Sequence, residues 1–464
     1  MKVTRRDFLR SSGCAALSAT ALASGIDRFG LISAYAQGTT DYKALVCIFL
    51  SGGNDGNNMV VPLDTTGYAA YSAVRGSAGL AIAQASLLPI TPKSIGLPFG
   101  LHPSLLALHP LFASGQLAIV SNVGPLIVPL SKQTYFSGAP RPYQLFSHSD
   151  QIAQWQTSVS TGQSGTGWGG RVADRFGVPA SGVPVITALT GGVFTRGQLT
   201  APLSVAPAPT PLSQILVLNG FGTATDEQAR LSAMDYLRTI DRTSALVAAA
   251  ADITQQAINV SKAFNVDPTL TTVFPNTSLG NQLKQVAKLM KFNLTSSAVG
   301  LNRQIFFCSL GGFDTHQGQV NTQANLLTQV SQAMKAFYDA TVELRIQSQV
   351  TTFTLSDFGR TFQPAGQAGT VGSDHAWGNH HLVLGGSVLG GDFYGVAGPN
   401  GTVFPTLQLS GPDDTDTRGR WIPTASVDQY GATLARWFGV NPADIRTVFP
   451  QIANFSVTDL RFLT

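Results

Sequence analysis

Three apolar, β-branched runs, each ending in a short polar turn that carries an acid, constrain this chain most. Leu45–Leu50 leads into Ser51-Gly-Gly-Asn-Asp-Gly-Asn-Asn58, Ile305–Leu310 into Gly311-Gly-Phe-Asp-Thr-His316, and Val350–Leu355 into Ser356-Asp-Phe-Gly-Arg360. Short continuous apolar runs bounded by turn residues mark strands buried on both faces. Leu117–Ser121 is a further short run of this kind. Between the second and third runs, Leu327, Val330, Met334, Phe337 and Leu344 recur at helical spacing within Asn325–Arg345. Buried strands alternating with helices predict an α/β fold: a mostly parallel central sheet with helices on both faces. In such a sheet the strand C-termini gather along one edge, so acids distant in sequence can meet there.

The densest chemistry lies in Ser356–His381, which holds Asp357, Arg360, Asp374, His375, His380 and His381, three of the chain's seven histidines among them. Carboxylates and imidazoles on Gly-rich loops are the ligands of an oxygen-and-nitrogen metal site. Taken with the other strand ends, the expected ligands are Asp55, Asp314, His316, Asp357, Asp374, His375 and His380. They suffice for one or two divalent ions, with zinc, calcium and manganese the metals considered. A hydrolase also needs a nucleophile. Phe146-Ser-His-Ser-Asp-Gln151 precedes a helical start at Ile152, and a hydroxyl at a helix N-terminus faces free backbone N–H groups that suit an alkoxide. Ser147 and Ser149 are the candidates, oriented by Asp150 or His148. Ser149 reads as the helix cap and Ser147 as the nucleophile. Arg360 or Arg141 could bind an oxyanion. The Asp357-Phe-Gly359 triplet lacks the companion loops of a kinase, and no Gly-x-Ser-x-Gly elbow supports a serine-hydrolase triad.

The first 36 residues read as an export signal. Thr4-Arg-Arg-Asp-Phe-Leu-Arg10 is a twin-arginine pattern, and Ala34-Tyr-Ala36 offers a cleavage site before Gln37. The expected location is periplasmic or secreted, with the twin-arginine machinery as a partner and no transmembrane anchor in the mature chain. The formal charge of +4 owes much to Lys2, Arg5, Arg6, Arg10 and Arg28 in that signal. The near-neutral remainder gives no footing for nucleic acid. Cys14 falls in the signal, and Cys47 and Cys308 sit in apolar runs, as small buried hydrophobes do. A bridge between those two requires their strands to be neighbours. Residues 37–464 read as a single domain with an insertion at about 179–301. That insertion opens Pro-rich, with Val205-Ala-Pro-Ala-Pro-Thr-Pro211, and continues as helices over Asp226–Phe264 and Gly280–Phe292. Ser426-Val-Asp-Gln429 is a capping box heading a final helix that stops at Gly439.

The twin-arginine start, the Gly-Gly-Asn-Asp-Gly turn, the Phe146–Gln151 motif, Gly311–His316, Ser356–Thr361, Gly372–His381 and the Val427–Val440 tail together resemble the exported bacterial proteins of family 1501 of the domains of unknown function. That family is similar to the alkaline phosphatase and sulfatase superfamily. The resemblance implies metals at strand ends, a nucleophile at a helix N-terminus and hydrolysis of phosphate or sulfate esters. A catalytically silent protein using the same fold in an exported assembly, beside a co-encoded exported partner, is the alternative. The chain departs from the superfamily pattern in two places. Asp357 is followed by Phe358 where an Asp-His pair is usual, and the Asp314/His316 pair is closer in sequence than its counterpart.

Overall fold

The computed structural model describes residues 42–464, apart from 178, 180, 181, 215–221, 265, 297, 298, 367 and 368. The expected export signal lies outside the described residues. In chain order the strands are β1 (Lys43–Leu50), β2 (Val60–Pro62), β3 (Leu88–Ile90), β4 (Phe99–Leu101), β5 (Leu117–Gly124), β6 (Ile186–Ala188), β7 (Leu203–Ser204), β8 (Arg303–Leu310), β9 (Val350–Ser356), β10 (Asn379–Gly385), β11 (Phe393–Tyr394) and β12 (Ala425–Ser426). Every residue of β1 after Ala44 is buried, as is Ala44 itself. Such a strand needs partners on both edges, and it has parallel ones: β8 on one side and β9 on the other. The sheet runs β11-β5-β10-β9-β1-β8-β6-β7, with β12 also on β5. Only β10 is antiparallel to its neighbours, β5 and β9. This is the mostly parallel α/β sheet that the apolar runs predict.

Alternation along the central strands divides the core into two layers. Val46, Ile48, Phe306 and Cys308 pack on one face with the helices Ser278–Thr295 and Gln319–Glu343. Leu45, Cys47, Phe49, Ile305 and Phe307 pack on the other with Trp155, Trp168 and the helix Val427–Phe438. Helices therefore cover both faces. The two cysteines do stand on adjacent strands, but their side chains enter opposite layers, and both are free thiols. Period-2 alternation puts the sheet itself between them.

The final helix is headed by the reciprocal Ser426–Gln429 capping box and ends at Gly439 in a left-handed conformation, as its sequence dictates. The 179–301 stretch contains more than helices. β6 and β7 extend the sheet beyond β8, and Ser278–Thr295 packs on Gln319–Glu343. Thr225–Leu237 and Ala245–Ala263 are separate helices, and the first has no buried residue. Among the described residues no helix is long and apolar enough to cross a membrane.

What matters for the site is that β1, β8 and β9 are parallel neighbours, so their polar turns emerge side by side. The β1 turn lies hard against the β8 turn. Gly52 has φ +116°, and a Cβ there would sit 2.3 Å from the Asp314 backbone nitrogen. Only glycine serves both the left-handed backbone and that approach.

Candidate metal centre

Asp314 stands at the end of β8 with its Oδ1 as the meeting point of three imidazoles. His316 Nε2 lies 3.1 Å from that oxygen, His375 Nε2 3.4 Å and His148 Nε2 3.5 Å. The coordinating atoms of His148, Asp314 and His375 all lie within 4.8 Å of one another. His316 joins through the Asp314 contact and through His375, their Nε2 atoms 2.9 Å apart.

Each ring is held by its other nitrogen. His148 Nδ1 is 2.7 Å from Asp357 Oδ2, His316 Nδ1 is 2.9 Å from Asp374 Oδ1, and His375 Nδ1 is 2.8 Å from the Phe146 carbonyl. A carbonyl oxygen can only accept, so His375 carries its proton on Nδ1. The carboxylates draw the Nδ1 proton of His148 and His316 in the same way. All three Nε2 atoms then present lone pairs to one another and to a carboxylate oxygen. Protons on individual Nε2 atoms relieve such contacts one at a time, and Arg360 already donates to the same oxygen at 2.8 Å; a cation at the centre relieves them together. Buried His148 Nε2 has no hydrogen-bond partner. Tetrahedral coordination at ordinary zinc–nitrogen distances gives ligand–ligand edges of about 3.3–3.4 Å, close to the spacings around Asp314. The residues present fit a divalent ion, with an outer layer of two carboxylates and a carbonyl fixing the ring orientations.

Electrostatics favour the metal-binding protonation states. Burial alone would raise the Asp314 carboxyl, but the Arg360 hydrogen bond and charge, with His316 and His148, hold it below its ordinary value. Burial likewise works to raise Asp374, and Arg418 and His316 outweigh it. Burial lowers His375, and the charges of His148, Arg360 and His316 push the same way, so its neutral form is favoured. Asp357 is raised by burial against the pull of His148 and of the Gly52 N–H.

The residues singled out from sequence separate into distinct places. Asp314, His316 and His375 converge. Asp357 and Asp374 stand behind them, each holding one histidine. Asp55 is buried elsewhere in the network: Arg75 grips both its oxygens (2.5 and 3.2 Å), and its Oδ1 caps the helix Gly56–Met59 by accepting from Asn57 N. His380 is in β10, its Nδ1 accepting from Asn122 N and its ring stacked on Phe404. Arg360 is fully buried and donates to Asp314, Gly52 O and Ser373. Arg141 lies exposed over the Tyr135 ring.

At the helix His148–Thr157 the N-cap is Ser147, two residues before the expected Ser149, because the turn closes at Phe146 with φ +72°. Neither hydroxyl caps the backbone. Ser147 Oγ donates to Asp150 Oδ2 at 2.6 Å, and Ser149 Oγ to the same oxygen at 3.2 Å. His148, read from sequence only as a group to orient a serine, is a member of the cluster. The signal in the sequence is its place, an imidazole between two serines at the expected helix start.

An α/β protein with a histidine–aspartate centre at its parallel strand ends is thus the class defined by fold and site. The chain belongs to the family described as "Protein of unknown function (DUF1501)", whose model matches residues 42–406 and so spans every cluster residue. No curated protein matches it. Among solved structures, Ps i-CgsB in complex with k-i-k-neocarrahexaose is 9% identical, covering 89% of this chain and 77% of that one at a TM-score of 0.34. A mutant of alkaline phosphatase PafA is 12% identical, covering 70% and 64% at a TM-score of 0.26. At such scores neither likeness bears on what this chain does.

Proposed function

We propose that this protein is an exported metal-dependent hydrolase of phosphate or sulfate esters. The observation that carries the reading is the convergence of three imidazole Nε2 atoms on one carboxylate oxygen in a cluster that reaches the surface, with the Asp314 and His316 side chains 46% and 44% exposed. Structural metal sites are closed, whereas catalytic ones keep a position for water or substrate. A divalent ion there would act as a Lewis acid on an ester oxygen. His148, Asp314 and His375, whose donor atoms lie within 4.8 Å of one another, would hold it, with His316 Nε2 beside the position left for water or substrate.

The chain's own residues supply the rest. Arg418, bonded to Asp374, and Arg420, bonded to the His375 carbonyl, bring positive charge beside the cluster and favour an anionic ester. Ser147 is the nucleophile in this reading. Asp150 accepts its hydrogen bond and is placed to take the proton as Oγ bonds to phosphorus or sulfur. The bond to the leaving oxygen breaks, that oxygen takes a proton from water, and a second water releases the serine ester. Export rests on the Thr4–Arg10 pattern.

One observation favours the silent alternative. Arg360 is buried with four of its five N–H groups given to protein acceptors, so it positions Asp314 and is poorly placed to take a substrate oxyanion. Metal analysis with turnover of 4-nitrophenyl phosphate and sulfate decides. We expect a single divalent ion per chain. His148→Ala should lose metal and turnover together, and Ser147→Ala should lose turnover while keeping metal. Full metal without turnover of either ester would favour the silent reading, and failure to bind any divalent ion would end the hydrolase reading.

A further inference from the structure

Resting on the hydrolase reading, we infer that the groove next to the histidine cluster binds a second oxyanion, carried by the leaving group of the substrate. The groove, of about 530 Å³, is lined by Tyr135, Pro140, Arg141, Pro142 and Leu145 among others. It is tied to the centre at two points. Leu145 forms part of its wall, and the next residue, Phe146, gives its carbonyl to His375 Nδ1. Tyr135 packs on Trp377, their ring centroids 6.1 Å apart, and Trp377 is two residues beyond His375.

Arg141 is the recognition element. Its guanidinium lies 4.8 Å from the Tyr135 ring centroid, and no acid among the described residues pairs with it. A guanidinium laid on an aromatic face is partly ordered yet keeps its in-plane N–H groups free. Those suit the two oxygens of a carboxylate, phosphate or sulfate. The prolines on either side of it have φ already fixed, which lowers the backbone freedom lost when a ligand docks.

The joint between groove and centre is strained. Gln144 and Phe146 are both non-glycine residues with positive φ, +48° and +72°. Strain of this kind gathers at ligand clamps, where surrounding contacts must hold it. Here Arg420 covers the Phe146 ring at 4.4 Å, and Gln154 donates to the Tyr143 carbonyl. The turn therefore sets the groove at a fixed offset from the centre, as selection of a substrate with two anionic groups requires.

The test compares phosphoglycolate, which carries a carboxylate beside its phosphate, with methyl phosphate by equilibrium titration of the full mature chain. We expect the wild type to bind phosphoglycolate at least tenfold more tightly. Arg141→Ala should erase the preference, Arg141→Lys should retain part of it, and metal content should be unchanged in both. No preference in the wild type, no binding of either probe, or a preference that survives Arg141→Ala would overturn the inference. Preference intact with no turnover of any ester would instead count against hydrolysis and leave the groove assignment standing.

Discussion

Asp357 gives one oxygen to each of two donors: Oδ1 accepts from the Gly52 N–H at 2.9 Å and Oδ2 faces His148 Nδ1 at 2.7 Å. Asparagine in its place keeps one oxygen and turns an NH₂ group toward a donor. Asp357→Asn should therefore let the His148 ring rotate and cut metal affinity by about 10–100-fold, the usual cost of losing an orienting partner. Competition against a chromophoric chelator measures this, and unchanged affinity would show that Asp357 does not orient the ring. The same pair explains why sequence could not sort ligands from supports. A metal ligand and the carboxylate behind it are the same residue types at the same strand ends; they differ only in where an oxygen points. Asp314 and Asp357 both follow buried strands, yet one meets the imidazoles at Nε2 and the other at Nδ1. Asp374 is in the same position as Asp357, 2.9 Å behind His316.

At the scale of elements, β10 was the strand least visible in the sequence. Its polar opening, Asn379-His-His381, breaks the apolar run that reveals β1, β8 and β9, so His380 reads as a loop ligand. In the sheet His380 and His381 point to opposite faces and are fully enclosed. His380 stacks on Phe404, and His381 lies between Trp155 and Tyr430. Burial lowers His380 to about 4 and His381 to about 3, His380's charge adding to the second shift. Unfolded, both titrate near 6.5. Below that pH the unfolded chain takes up protons that the folded chain refuses. The stability these groups contribute is thus complete above about pH 6.5 and is lost as pH falls towards 4. The loss is on the order of 3 kcal/mol per histidine at the low end. Urea unfolding at pH 7 and pH 4.5 should show that fall in wild type. His381→Phe, which keeps the aromatic packing, should show a shallower one. Parallel pH slopes for the two proteins would mean that His381 does not enter the acid transition.

Across the whole molecule, the runs of buried strands made the parallel sheet readable, because each run is apolar on both faces. The outer strands β6 and β7, the second of them at the edge, are only three and two residues long and lie in Pro-rich sequence, so neighbours rather than local pattern create them. The same limit applied to Asp55. Its Gly-Gly-Asn-Asp setting matches that of the other acids, but its partner Arg75 sits on another element. From Arg75 a buried network runs through Asp55, Gln319 and Ser373 to Arg360 and Asp314. It joins the turns after β1, β8 and β9 to two helices and ends at the histidine cluster without placing Asp55 in it. This separates two kinds of damage. Asp55→Ala leaves the Arg75 guanidinium buried without a counter-charge, a loss on the order of 3–5 kcal/mol. Asp55→Asn, which keeps an acceptor for Arg75, should cost less and fold. Asp314→Asn, which keeps an acceptor for the buried Arg360, should shift the urea midpoint little while weakening metal binding. Midpoints and metal stoichiometry of the three variants, measured together, check the division. If folded Asp55→Asn lost its metal, Asp55 would have to be counted among the ligands, because the network alone transmits position and supplies no donor atom to the ion.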